Sequence, residues 1–302
     1  MHGPGALLRE RGEEVAARLD ALDRAPVVRL ASSERLELPD ASAHLVVTSP
    51  PYPMIEMWDE AFQRWTGRPA TDPGFYRACH DALDRVWAEC ARVLAPGGVA
   101  AINVGDACRG GPDGFRLWAN HVDVTRGCEE AGLVPLVPIL WKKPTNKPNA
   151  FLGSGFLPPN AYVTLDCEHV LLFRKGAPRR FPPKDLLRYA SEISKEERDA
   201  WFTQVWDLRG ARQERGDLAR RTAAFPDELP RRLVRMFSVL GDVVLDPFAG
   251  TGTTLRVALE EGRRAVGYEV DPALAGALSG LSAPAGRDVV AALAKRYGHP
   301  AG

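Results

Sequence analysis

The chain has 302 residues, of which 45% are apolar, enough for a sizeable core in one large domain or two small ones. Lys+Arg (39) balance Asp+Glu (39), so a globally basic nucleic-acid binder is excluded and any such role rests on a local patch. No apolar run reaches the roughly eighteen residues of a membrane span, and MHGPGALLRERGEEVAARLD lacks an apolar signal region, so a cytoplasmic protein is expected.

In chain order, Leu7, Leu8, Val15, Leu19 and Leu22 predict a helix over 6–23, and VVRLA (27–31) a short strand. HLVV (44–47) predicts a second strand, which runs into TSPPYP. Two prolines there stop both helix and ladder. The apolar face Ala78, Ala82, Val86, Cys90, Val93 and Leu94 predicts a helix over 75–94, closed by the stop signal APGG. GGVAAINVG (97–105) follows as a buried strand, and the three pieces form the βαβ unit of a parallel sheet. LVPLVPILWKK (133–143) and EHVLLFRKG (168–176) predict two more strands around a Pro-, Asn- and Gly-rich segment without period. From Lys175 to about Arg212 the chain is polar and irregular, with a short helical stretch at ISKEERDAWF. A helix over 229–240 then leads into DVVLDPFAGTGTTLRVALEEGRRAVGYEVDP (242–272), which reads strand, glycine loop, helix, strand.

That last block predicts a nucleoside site. Gly250 and Gly252 permit a tight turn and close approach of a ligand to the backbone, and Glu269 ends the neighbouring strand, where a carboxylate can bind ribose hydroxyls. A phosphate-cradling P-loop needs a lysine after the last glycine and has none here; a dinucleotide fingerprint needs a third glycine where Leu255 stands. The bland alternative is a tight turn plus a surface glutamate. Five cysteines (Cys79, Cys90, Cys108, Cys128, Cys167) form no C-x-x-C pair, and the histidines show no metal spacing, so no metal is expected.

DPFAGTGTT (246–254) resembles the S-adenosylmethionine-binding motif of amino-methylating DNA methyltransferases, and TSPPY (48–52) resembles their catalytic motif. FPDELPRRL (225–233) is similar to the segment that precedes the cofactor loop in the permuted beta group, where the catalytic motif comes first, as here. The resemblance covers about residues 27–275. It implies a Rossmann-like α/β sheet, mostly parallel with an antiparallel hairpin, with helices on both faces and a small irregular target-recognition insert. It divides the chain into a first catalytic part (1–143), a target-recognition region (about 144–212) and a second catalytic part (213–302). It implies Asp246, Pro247, Phe248, Gly250, Gly252, Thr253, Glu269, Phe225 and Pro226 at the cofactor and Ser49, Pro50, Pro51 and Tyr52 at the reacting base. Double-stranded DNA is the implied partner. Family analogy also admits a cognate restriction endonuclease and a homodimer.

An exocyclic amino nitrogen is a poor nucleophile because its lone pair is delocalised into the ring. In the resemblance, the Ser49 side chain and the Pro50 carbonyl accept its N–H bonds and aim the lone pair, while Tyr52 stacks on a flipped base. Serine before Pro-Pro-Tyr usually accompanies cytosine N4 methylation and an acid adenine N6 methylation. N4-cytosine is therefore expected, with N6-adenine or an RNA amino group as the alternatives. Cytosine C5 chemistry needs a cysteine following a proline, and none does. One departure is LASSERL, where Ser32 stands in place of a cofactor-binding acid. Trp58, Trp65 and Met57 are read as core packing before pocket lining, Asp106 as a further pocket candidate, and the basic stretches 142–149 and 173–188 as phosphate clamps or solvated loops.

Overall fold

The computed structural model describes residues 4–111, 114–143, 163–209 and 225–297. The strands are β1 (Val27–Leu30), β2 (Ala43–Thr48), β3 (Leu94–Val104), β4 (Ala107–Gly111), β5 (Gly114–Trp118), β6 (Val134–Pro135), β7 (Ile139–Lys142), β8 (Cys167–Arg174), β9 (Val205–Asp207), β10 (Val243–Asp246) and β11 (Arg264–Glu269). The helices are α1 (Pro4–Asp20), α2 (Asp59–Thr66), α3 (Phe75–Val93), α4 (Asn120–Glu130), α5 (Leu186–Ala190), α6 (Lys195–Trp201), α7 (Glu228–Phe237), α8 (Thr253–Glu260), α9 (Ala275–Ser279) and α10 (Gly286–Tyr297).

Among the described residues the main sheet has nine strands, in the order β1-β11-β10-β2-β3-β8-β7-β9 with β6 also on β8. From β1 to β3 every pairing is parallel; β8 then runs antiparallel to both β3 and β7. Period-two alternation explains the layers. Val46, Ala100, Ile102, Leu171, Leu245 and Val266 enter one core with α2, α3 and α4, whereas Leu45, Val47, Ala101, Leu172, Val244 and Ala265 enter the opposite core with α7 and α8. Each such apolar side chain contributes about 1.5–3 kcal/mol on burial, against about 0–1 kcal/mol for an exposed ion pair. The strand ends that carry the site are therefore held by the two cores, not by surface charge. A third cluster joins α1, α5 and α10 through Leu8, Val15, Leu19, Leu186, Val289 and Leu293.

The structure departs from the sequence reading in several places. α3 ends at Val93 and the chain enters β3 at once, so APGG lies inside the strand and not before it: Ala43 pairs with Leu94 and Leu45 with Val99, and residues bulge out between them. Gly97, at φ 78°, makes that bulge possible. The single strand expected over 133–143 is two pieces, β6 and β7, split around Pro138, which has no N–H for the ladder. The stretch expected to be irregular from Lys175 holds the expected short helix at ISKEERDAWF as α6, and beyond it contributes α5 and β9; Trp201 and Trp206 are buried in the core. Of the expected target-recognition region, β8, α6 and β9 thus join the sheet and its core, while residues 144–162 and 210–212 lie outside the described residues.

Candidate active site

Parallel pairing puts the carboxyl ends of β1, β11, β10, β2 and β3 on one edge, and antiparallel β8 begins on that same edge, with His169 opposite Val104. The chain leaves β2 toward β3 and leaves β10 toward β11, so the direction of winding switches between β10 and β2. Such a switch point opens a crevice at the strand ends. TSPPYP leaves β2 and DPFAGTG leaves β10, so the two motifs flank it.

The first motif is tied to the second: Thr48 Oγ1 donates to Asp246 Oδ1 at 2.6 Å. Ser49 Oγ lies 2.8 Å from the Tyr52 hydroxyl. That hydroxyl donates to Glu168 Oε2 at 3.1 Å, while Asn103 Nδ2 donates to the hydroxyl at 2.8 Å and to the same carboxylate oxygen at 2.7 Å. The ammonium of Lys143 pairs with the other oxygen, Glu168 Oε1, and lies 4.5 Å above the Trp141 ring. Burial, reinforced by the negative charge of Glu168, pushes the Tyr52 phenol well above its ordinary range, so it stays a neutral donor. Gly105 makes room for the ring, since a Cβ there would sit 2.9 Å from Tyr52 Cε2. Asn120 Nδ2 donates to Pro53 O and Gly105 O, both at 3.0 Å, and clamps the corner to the end of β3. Met54 closes the corner at φ 66°, a left-handed conformation that non-glycine residues hold only where the surroundings impose it.

In the second motif Gly250 (φ 55°) and Gly252 (φ 85°) turn the chain into α8. A Cβ on Gly250 would meet nothing nearer than Phe248 O at 4.0 Å, so the loop faces open space, whereas one on Gly252 would press Leu278 at 3.0 Å. Glu269 Oε2 accepts the Gly250 N–H at 2.8 Å, and Oε1 accepts those of Val270 and Asp271, each at 2.8 Å. The loop thus fixes the carboxylate with backbone donors and leaves lone-pair capacity on Oε2. Asp246 is buried, and burial pushes its carboxyl up to about 6 although the Thr48 hydroxyl and the Phe248 N–H pull it down. Pro247 is buried, and Phe248 packs edge-on against Trp65 and Trp87 at 6.2 and 6.1 Å. Trp65 and Trp58 both belong to that packing, and Met57 is exposed.

Phe225 is buried in the core, and the Pro226 carbonyl accepts the Leu229 N–H at 3.0 Å at the start of α7. Asp227 then pairs with Arg256 of α8 at 2.6 Å, which sets this segment against the glycine loop's helix. Thr253 opens α8. Ser32 is exposed beyond β1 and donates to Glu34 at 3.2 Å; a carboxylate therefore stands two residues past the expected acid, bound also to Arg85. Of the basic stretch 173–188, Lys175 donates to the Arg92 and Leu94 carbonyls and Arg179 pairs with Asp242 at 2.6 Å, so these cations are engaged within the protein. Residues 144–149 of the other stretch lie outside the described residues.

Asp106, buried just past β3, comes together with His121 and His169, a cluster the sequence spacing did not suggest. Its carboxylate takes both the ring Nδ1 (2.8 Å) and the backbone N–H (3.1 Å) of His121. The two imidazoles stack at 4.1 Å with planes 9° apart, and the His121 Nδ1 is already engaged by Asp106. The cluster is a stacked, hydrogen-bonded pair. Sequence reasoning also missed Asn103, Glu168 and the part played by Lys143. A buried Asn inside the apolar run AINV was the available signal for the first.

Residues 43–277 match the N6_N4_Mtase family, described as DNA methylase. The type II methyltransferase M.MjaI of Methanocaldococcus jannaschii is 55% identical over 79% of this chain and 84% of its own length. M.MthZI of Methanothermobacter thermautotrophicus is 46% identical over 80% and 71%. TTHA0409 of Thermus thermophilus, a candidate DNA modification methylase solved with S-adenosyl-L-methionine, superposes with TM-score 0.66 at 37% identity over 83% of this chain and 90% of its own. The PvuII cytosine-N4-specific DNA methyltransferase shares the fold, with TM-score 0.62 at 20% identity over 90% and 92%. The chain belongs to the N6_N4_Mtase family of DNA methylases.

Proposed function

We propose that this chain transfers a methyl group from S-adenosylmethionine to the exocyclic N4 of a cytosine flipped from duplex DNA, as the modification enzyme of a type II restriction–modification system. The observation that carries this reading is the hydrogen-bonded junction of the two motifs, Thr48 to Asp246, which sets an acceptor-rich Pro-Pro corner against a glycine loop at one crevice. The residues present fit the cofactor. Gly250 leaves room before the loop, and Glu269 is a fixed carboxylate with capacity for a ribose hydroxyl. Bound there, S-adenosylmethionine supplies an electrophilic methyl group.

The chain's own part is positioning. Ser49 and the Pro50 carbonyl accept the amino N–H bonds and turn the nitrogen lone pair toward the crevice; the rigid corner limits the ordering cost. Pro51 removes a competing donor, and Tyr52 offers the wall against which the base rests. Asp246, Pro247, Phe248, Gly252, Thr253, Phe225 and Pro226 shape the cofactor side. Ser49, not an acid, before Pro-Pro-Tyr supports cytosine over adenine. The curated relatives' type II names support the restriction–modification setting, with a cognate endonuclease as partner. Residues 144–212 remain the proposed target-recognition region, and a homodimer is admitted on family analogy alone.

The test is incubation with methyl-labelled cofactor and mixed-sequence duplex DNA, followed by nucleoside mass spectrometry. N4-methylcytosine is expected. N6-methyladenine would remove the cytosine assignment, and label found only in an RNA control would remove DNA as the substrate.

A further inference from the structure

Methylating an amino group makes its nitrogen cationic, and one N–H proton must then leave. Ser49 alone is a poor destination, because a hydroxyl cannot hold a second proton near neutral pH. The polar groups behind Ser49 supply a better one.

Hydrogen-bond direction can be worked out from the far end. The Glu168 carboxylate only accepts, so the Tyr52 hydroxyl must donate to Oε2 at 3.1 Å. The side-chain nitrogen of Asn103 must also face that oxygen, at 2.7 Å, which fixes the amide so that it donates to the Tyr52 oxygen at 2.8 Å. The phenol has one proton, and it is committed to Glu168. In the 2.8 Å bond between Ser49 and Tyr52, Ser49 must therefore donate. Its lone pairs are left facing the crevice, as an acceptor for an amino group and not a donor for a keto oxygen.

We propose that Glu168 is the positioning residue that polarises this chain and takes up the proton lost from the methylated amino group, by way of Ser49 and Tyr52. The inference rests on the amino-methyltransferase reading above. The new C–N bond forms from the nitrogen lone pair, and the departing sulfur keeps the electron pair of the broken S–C bond. The nitrogen's proton passes to Ser49 Oγ, that of Ser49 to the Tyr52 oxygen, and that of Tyr52 to Glu168 Oε2. The amino group ends neutral and Glu168 ends as the carboxylic acid. Its side chain is 13% exposed and returns the proton to water as product leaves. The charged and titratable groups around Glu168 are Lys143 from β7, Tyr52 from the corner and His169 next along β8, with Asp106 and His121 behind it. Lys143 pairs with Glu168 Oε1 and holds the carboxylate in place.

The experiment is single-turnover methyl transfer to duplex DNA for wild type, Glu168→Gln, Tyr52→Phe and the double variant, with S-adenosylmethionine binding measured in parallel. Tyr52→Phe keeps the ring and removes only the hydroxyl, so stacking is preserved and the relay is cut. Both single variants are expected to bind cofactor as wild type does and to transfer methyl about 10²-fold more slowly, the low end of general-base contributions. The double variant should transfer no more slowly than either single variant, because both substitutions cut the same relay. Wild-type rates in either single variant, or losses that multiply in the double variant, overturn the relay. If Glu168→Gln does not fold, Tyr52→Phe alone decides. Failure of wild type to label any base amino group would instead overturn the function, and the relay with it.

Discussion

At the scale of single residues, Asp246 is expensive where it stands. Burial raises its carboxyl to about 6, outweighing the Thr48 and Phe248 hydrogen bonds. A folded-state value above the ordinary carboxylate range means that the native state binds the proton more tightly than the unfolded chain. Its contribution to stability is thus greatest in acid and falls as pH rises from about 4 to about 6, then stays flat. Asparagine would still accept from Thr48 and Phe248 through Oδ1 without a buried charge. Asp246→Asn is therefore expected to melt above wild type near pH 8 by an equivalent of ~2–3 kcal/mol, with the gap closing near pH 4. Thermal melts at the two pH values check this; equal gaps at both would mean the carboxylate's ionisation is not the cause. A carboxylate retained against stability marks a position kept for function. Asp246 and Ser49 were legible because each sits in a contiguous motif. Glu168 was not: it reaches Tyr52 only through the β3–β8 register, and that pairing spans 65 positions between Asn103 and Glu168.

At the scale of elements, the helices behind the glycine loop meet on one buried acid. Glu261, just past α8, receives Arg231 of α7 and Arg296 of α10, the latter through bonds of 2.9 and 3.0 Å. Burial alone would raise its carboxyl, but Arg296, Arg263 and Arg231 outweigh it and hold it down to about 2. The sign is opposite to that of Asp246: the stabilisation is present above about pH 4.5 and is lost as pH falls toward 2. Glu261→Gln leaves buried guanidinium groups without their anion and is expected to cost about 3–5 kcal/mol near pH 7. Urea midpoints at pH 7 and at about pH 3 measure it; the gap between variant and wild type should narrow in acid. Long periodic elements such as α3 and α8 could be read from the sequence. The β4–β5 hairpin and α4 could not, because Gly-rich and Arg-rich residues over 107–118 carry no period and α4 buries only a thin apolar face, Val124 and Cys128 among it.

At the scale of the whole molecule, motif order in sequence is decoupled from motif position in space. TSPPY leaves β2 and DPFAGTG leaves β10, nearly 200 residues apart along the chain, yet Thr48 and Asp246 are hydrogen-bonded because β2 and β10 are sheet neighbours. The site depends on strand adjacency and not on which motif is translated first. Both ends of the described chain lie away from this edge and against each other: α1 packs on α10, and a Cβ on Gly5 would sit 3.0 Å from Tyr297 Cβ. A short flexible linker can therefore join them without crossing the crevice. A new opening is available at Pro183–Lys184, which is exposed, lies between β8 and α5, and has Lys184 at φ 61°, a strain that cutting the chain relieves. A circular permutant linked across the α1–α10 contact and opened at 183–184 would carry the glycine loop before the Pro-Pro-Tyr corner. It is expected to fold cooperatively, to bind S-adenosylmethionine within about threefold of the parent and to keep the parent's methylated product, because the cut falls in an exposed connection and breaks no strand pairing and no site hydrogen bond. Calorimetric cofactor titration and nucleoside analysis of the permutant measure this. A folded permutant that lost cofactor binding would show that chain order, and not sheet adjacency, builds the crevice.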